Sequence, residues 1–181
     1  MNELTQEAKF GMEKAIENYR SSLNTLRTGR ANPSILDGVM VDYYGSPIPL
    51  NQISAISVPE ARQILIKPYD RNDIRSILAA LSSANIGLNP VNDETVIRIM
   101  VPPLTEDRRR EIVRQAKKYT EECKIAIRNI RRDFIDLARA DEEMSEDSVK
   151  RIEKEIQDVT DASNKTIDDI MSRKEVEIMT I

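Results

Sequence analysis

The chain has 181 residues, with 27 Lys or Arg against 31 Asp or Glu, no histidine and one cysteine. Missing histidine removes the commonest general base, pH switch and zinc ligand together, and the lone Cys123 excludes an intrachain disulfide framework. Abundant charge and few aromatics favour a helical, bundle-rich protein of one domain or two small ones over an all-β fold.

Residues 2–28 carry Leu4, Ala8, Met12, Ala15, Tyr19, Leu23 and Leu26 at mixed steps of three and four, the period of one buried helical face. Gly29 is placed to take a left-handed helix cap, and Pro33 discourages resumption.

All eight prolines then fall between Ala31 and Pro103, among short β-rich runs. Val39, Val41 and Tyr43 alternate with Met40, Asp42 and Tyr44, which predicts a two-faced strand turned by Tyr44-Gly45-Ser46-Pro47. Residues 53–58, 64–67 and 96–101 are three more strand candidates, rich in Ile and Val. Asn72 is the expected cap of one short helix, with Ile74, Ile77, Leu78 and Leu81 on its apolar face and Gly87 beyond its end. The stretch reads as a small mixed α/β module with its own core.

Residues 105–139 form the stretch around which the chain is organised. Ile112, Ala116, Tyr119, Cys123, Ala126, Ile130, Phe134 and Leu137, flanked by Ile127, give a core stripe. Arg110, Arg114, Lys117, Lys124, Arg128 and Arg131 recur mostly two residues ahead of an apolar position, about 200° around the helix, so these cations are expected roughly opposite the core. Thr105 is the expected cap, and Glu106 and Asp107 suit the positive end of the helix dipole. A polar hairpin at 139–144 leads to a last helix from Ser145, with Val149, Ile152, Ile156, Val159, Ala162, Ile167 and Ile170 as its stripe.

Three long helices with one narrow stripe each bury those stripes only against one another. The fold expected is therefore α+β: a long antiparallel three-helix bundle from 1–29 and 105–181, with a small β/α/β domain inserted at 30–104. Two connections, at 29–32 and 101–104, join the parts through residues that turn the chain: Gly29, Arg30, Ala31 and Asn32, then Val101, Pro102, Pro103 and Leu104.

Net charge is −4, yet residues 105–140 hold eleven Lys or Arg against seven Asp or Glu, while 141–181 hold six against thirteen. That asymmetry points to an anionic partner for the central helix. Regularly spaced cations along a rod of about 50 Å suit an RNA backbone, and Arg supplies the planar fork that grips phosphate. The competing readings are a solvated outer face and an adaptor that binds an acidic protein surface. Tyr43 and Tyr44 suit base stacking, though strand tyrosines more often pack in a core. A Gly-rich phosphate loop, G-x-S-x-G, H-E-x-x-H and Cys clusters are all missing from the sequence, so no enzyme, cofactor or metal is expected. Without a bilayer-length apolar run or the pattern of a signal or transit peptide, a cytoplasmic protein is expected, with no membrane partner.

Several runs carry a family resemblance. Leu26-Arg27-Thr28-Gly29-Arg30-Ala31-Asn32-Pro33 and Asp42-Tyr43-Tyr44-Gly45-Ser46-Pro47 resemble ribosome recycling factor. So do Gly87-Leu88-Asn89-Pro90, the run from Pro102 to Arg109, and Arg128-Asn129-Ile130-Arg131-Arg132-Asp133, in the family's order. The resemblance implies an L-shaped molecule and a translation factor, monomeric off the ribosome. With elongation factor G and GTP, such a factor splits post-termination ribosomes into subunits, its bundle bound to large-subunit rRNA. By matched position, Arg128, Arg131 and Arg132 are the implied rRNA contacts. Arg27, Gly29 and Arg30 match the signature beside the hinge, where rRNA contact is implied for the two arginines, and 101–104 match the second hinge strand. Phe134 departs from the family's smaller residue, which bears on local packing.

Overall fold

The computed structural model describes residues 2–180. In chain order the elements are helix α1 (Glu3–Asn24), strands β1 (Met40–Tyr43) and β2 (Ser46–Pro49), helix α2 (Leu50–Ile53), and strands β3 (Ser54–Glu60) and β4 (Gln63–Pro68). Helix α3 (Ile74–Ser83), strands β5 (Pro90–Asp93) and β6 (Val96–Met100), and helices α4 (Glu106–Ala140) and α5 (Glu146–Thr180) follow. They group into two compact units: α1 with α4 and α5, and Gly29–Thr105.

The first unit is the three-helix bundle. Each helix contributes one face, and all three pairs of helices touch. Helix α1 ends at Asn24, four residues before the expected stop. The N–H groups of Thr25 and Leu26 bond to the carbonyls of Ser22 and Leu23, and the Thr25 hydroxyl donates to Ser22 as well, so the last turn tightens and closes there. Gly29, at φ +79°, therefore lies beyond the helix end and is not its cap.

The stripe on α4 also differs from expectation. Its buried line runs through Ile112, Ala116, Thr120, Cys123, Ile127 and Ala138; Leu137 is 55% exposed, and Tyr119, Ala126, Ile130 and Phe134 sit at its margin. On α5 the line passes through Thr160 and Ser163, while Ala162 is exposed. Hydroxyls enter this core because helical neighbours satisfy them. Thr120 donates to the Ala116 carbonyl (2.9 Å) and Thr160 to that of Ile156 (2.8 Å), and both Thr160 and Ser163 contact the Met12 sulfur. Ser145 opens α5 as expected, its Oγ accepting from the Ser148 N–H.

The second unit pairs β1 with β2 in a hairpin and sets β3-β4-β6-β5 in a second, wholly antiparallel sheet. Tyr44 (φ 50°) and Gly45 (φ 84°) both lie in the left-handed region, which matches the twist of the hairpin strands. The Asp42 carboxylate accepts the Gly45 N–H at 2.9 Å. Ile64, Ile66, Ile97 and Ile99 from the sheet meet Ile77 and Leu81 of α3 in a fully buried core. Strands β2 and β5 were not among the expected strands; their prolines Pro47, Pro49 and Pro90 are tolerated because each strand is short and leaves one side unpaired. The short helix is introduced by a 3-10 turn (Arg71–Asp73) whose cap is Asp70, not Asn72: Asp70 Oδ1 accepts the Asn72 N–H at 2.9 Å.

Candidate nucleic-acid interface

At about 100° per residue, a core line through Ile127 places Arg110, Lys117, Lys124 and Arg128 roughly a quarter-turn from the buried face, on the flank next to α5. The expectation of a cationic face opposite the core is therefore corrected for these four, while Arg114, about 140° from the Ile127 line, keeps to the outer face. The apolar line itself rotates toward Ile127 and Ala138, which brings the four cations to the edge of the α4–α5 seam.

That position divides the cations by role. Lys117 Nζ lies 3.7 Å from Glu175, Lys124 Nζ 2.7 Å from Asp168, and Arg139 Nε 2.7 Å from Glu153, all on α5. The acidity of the last helix is thus partly spent on the basicity of its neighbour. Arg131 also reaches α5, where its Nη1 donates to the Gln157 amide oxygen at 3.0 Å. Arg110 pairs along its own helix with Glu106, and Arg132 stands 3.8 Å from Asp133; both pairs are well exposed and contribute little stability. Arg114, Lys118 and Arg128 are exposed and have no ion-pair partner among the described residues. The cations free to meet a phosphate are consequently Arg114, Lys118 and Arg128, with Arg110 and Arg132 needing only to leave weak surface partners.

Sequence reasoning missed Lys118 in this group, although its polar surroundings gave the signal. It also missed Arg109, whose Nη1 donates to the Met179 carbonyl at 2.9 Å. The last turn of α5 has no basic residue of its own, and Arg109 supplies the missing donor from α4.

Arg27 is exposed after the end of α1, and Arg30 is exposed at the start of the second unit. Neither is on α4. The residues expected to act as a hinge are not equivalent. Ala31 is buried, and its N–H bonds to the Ala61 carbonyl at 2.7 Å; the Val101 N–H bonds to the Arg62 carbonyl at 2.8 Å. Both connections are therefore tied to the turn between β3 and β4. Asn32 is engaged too, capping a 3-10 turn (Pro33–Leu36) through the Ser34 N–H. Gly29, Pro102 and Pro103 lie outside those ties.

Tyr43 and Tyr44 meet edge to face, with ring centroids 4.7 Å apart. Tyr43 packs on the core of its unit, whereas Tyr44 is 86% exposed. Cys123 is buried in the bundle, and burial pushes its thiol up to about 11, away from the range of a nucleophile. Among the described residues, no helix is long and apolar enough to cross a membrane.

Comparison with known proteins gives consistent relatives. The family model described as Ribosome recycling factor matches residues 19–179. A ribosome-recycling factor of Geobacillus sp. is 52% identical over 136 residues, spanning 75% of this chain and 74% of that one. The Bacillus subtilis factor is 53% identical over 134 residues, spanning 74% and 72%. A solution structure of the ribosome recycling factor, 40% identical, superposes with a TM-score of 0.71 over the full length of both chains. The T. thermophilus ribosome recycling factor, in models of it and E. coli elongation factor G bound to the E. coli post-termination complex, is 41% identical. It gives a TM-score of 0.58 over 97% of each chain.

Proposed function

The chain belongs to the ribosome recycling factor family, and from that membership we propose that it disassembles post-termination ribosomes into subunits together with elongation factor G and GTP. The observation that carries this reading is the family match across nearly the whole chain, joined to a relative placed on the post-termination complex with elongation factor G. The protein acts as a cytoplasmic translation factor, monomeric off the ribosome. GTP hydrolysis belongs to the elongation factor.

The bundle binds large-subunit rRNA through the surface of α4 that runs from its α5 flank to its outer face. Arg114, Lys118 and Arg128 make the first phosphate contacts, Arg110 and Arg132 exchange surface carboxylates for phosphate, and Arg131 adds a held guanidinium. Lys117 and Lys124 act mainly through the seam, setting the position of α5. Arg27 and Arg30, both exposed beside the first connection, make rRNA contacts of their own. Motion between the units is absorbed at Gly29–Arg30 and Pro102–Pro103, because Ala31 and Val101 are bonded into the second unit.

Sedimentation of post-termination ribosomes incubated with the protein, elongation factor G and GTP tests the reading. Free subunits that accumulate only when all three are present support it. Failure both to bind and to split ribosomes overturns it in favour of an adaptor for an acidic protein surface.

A further inference from the structure

Several cations on α4 reach across to α5, and they do not meet the same chemistry. Lys117, Lys124 and Arg139 meet the carboxylates of Glu175, Asp168 and Glu153. Arg131 meets the neutral amide of Gln157. The departure is informative because of the register. Lys117, Lys124 and Arg131 are spaced by seven residues along α4, and Glu175, Asp168 and Asp161 by seven along the antiparallel α5. Asp161 is thus the acid in register with Arg131, yet Gln157 stands between them, its Oε1 accepting from Arg131 and its Nε2 donating to Asp161 at 2.8 Å.

An amide bridge differs from an ion pair in one respect that matters for an anionic partner. A carboxylate at 3 Å would cancel most of the field of the guanidinium, whereas an amide holds one N–H and leaves the net charge in place. Asp161 orients the amide, so its oxygen and not its nitrogen faces Arg131. The guanidinium is also left incomplete: Nε is shut off from solvent without a hydrogen-bond partner among the described residues. With Nη1 on Gln157 and Nε closed to solvent, Nη2 is the donor that a phosphate can reach.

We propose that Gln157 is a positioning residue: it restrains Arg131 against α5 with its charge intact, ready for a backbone phosphate of rRNA. The proposal rests on the reading that this flank of α4 binds large-subunit rRNA. Gln157 itself touches no nucleic acid. Its contribution is to reduce the side-chain freedom lost on binding, without the neutralisation a Glu would impose.

The test is large-subunit binding as a function of salt, for the intact protein and its variants, with thermal melting to establish that each is folded. Gln157→Glu should lower affinity about tenfold and reduce the salt slope by about one counterion, because Arg131 then carries an internal partner. Gln157→Leu should lower affinity about threefold with the slope retained, since only restraint is lost. In an Arg131→Ala background both effects should vanish, which separates action through Arg131 from a general effect of added negative charge. If Arg131→Ala weakens binding but Gln157→Glu does not, or if Gln157→Glu acts equally without Arg131, the positioning role is overturned and the rRNA reading stands. If Arg131→Ala itself leaves binding unchanged in a folded protein, the proposal falls along with the assignment of Arg131 to rRNA.

Discussion

Gly29 and Leu104 lie against each other: a Cβ built on Gly29 would stand 3.1 Å from Leu104 Cγ and 3.4 Å from its Cδ1. The two chain segments that enter and leave the second unit therefore touch side by side, at a glycine whose φ of +79° disfavours any other residue. Gly29→Val meets both obstacles, a left-handed conformation costly for a β-branched side chain and a neighbour that must yield. The expected cost is about 1–3 kcal/mol of local strain. Because the bundle face is untouched, large-subunit binding should be largely retained while subunit splitting falls. Equal loss of binding and splitting would assign Gly29 to folding and not to motion.

Lys124 and Arg128 are four residues apart on the same helix, yet they should fail differently. Lys124 is 27% exposed and pairs with Asp168 at 2.7 Å, so Lys124→Ala should lower bundle stability by up to about 1 kcal/mol. Arg128 is exposed with no ion-pair partner among the described residues, so Arg128→Ala should leave stability within about 0.5 kcal/mol. Its large-subunit affinity should fall by about 1–3 kcal/mol through the lost charge-assisted contact. Chemical denaturation and ribosome binding, measured side by side, separate the two. Similar profiles for both variants would erase the division of the stripe into seam and docking residues.

That division was not legible in the sequence, and the reason is physical. A 3.6-residue period leaves its mark on the apolar residues, so all three long helices and the inserted module could be read from spacing alone. Whether a lysine finds a carboxylate depends on the register of a second helix, and in sequence Lys124 and Arg128 look alike. The same limit hid Thr120, Thr160 and Ser163 from the core. They hold core positions by bonding a carbonyl of their own helix or contacting the Met12 sulfur, a satisfaction that hydrophobicity does not encode. Strands β2 and β5 were hidden by their prolines, which only an unpaired strand edge tolerates.

The hydroxyl layer of the bundle has a definite polarity. Thr120 spends its single hydroxyl hydrogen on the Ala116 carbonyl, so the Tyr19 hydroxyl must donate to Thr120 Oγ1, at 2.7 Å. Tyr19→Phe removes a donor and leaves the Thr120 oxygen still serving its own helix; the expected loss is about 1 kcal/mol. Thr120→Val is the harsher change, since it strands the buried Tyr19 hydroxyl, and about 1–3 kcal/mol should be lost. Denaturant midpoints of the two variants test the order. A Thr120→Val protein as stable as Tyr19→Phe would mean that the phenol finds another acceptor.

The same layer should set the behaviour of the bundle in alkali. Burial raises the Cys123 thiol from 9.0 to about 11, and it raises the neighbouring Tyr19 phenol as well. A raised value means the folded state holds the proton more tightly than the unfolded chain does. The stabilisation is therefore fully present below pH 9.0 and is lost as pH climbs through about 11. The two groups also repel once ionised, since the thiolate lies close enough to raise the phenol further. Replacing Cys123 with Ala should flatten the fall in stability across that window, leaving the part due to Tyr19. At pH 8, the native thiol should react with iodoacetamide only at the rate of bundle opening, because both burial and low thiolate content protect it. Labelling as fast as that of an unfolded peptide would show that α4 exposes its central turns in the native state, and the alkaline prediction would fail with it.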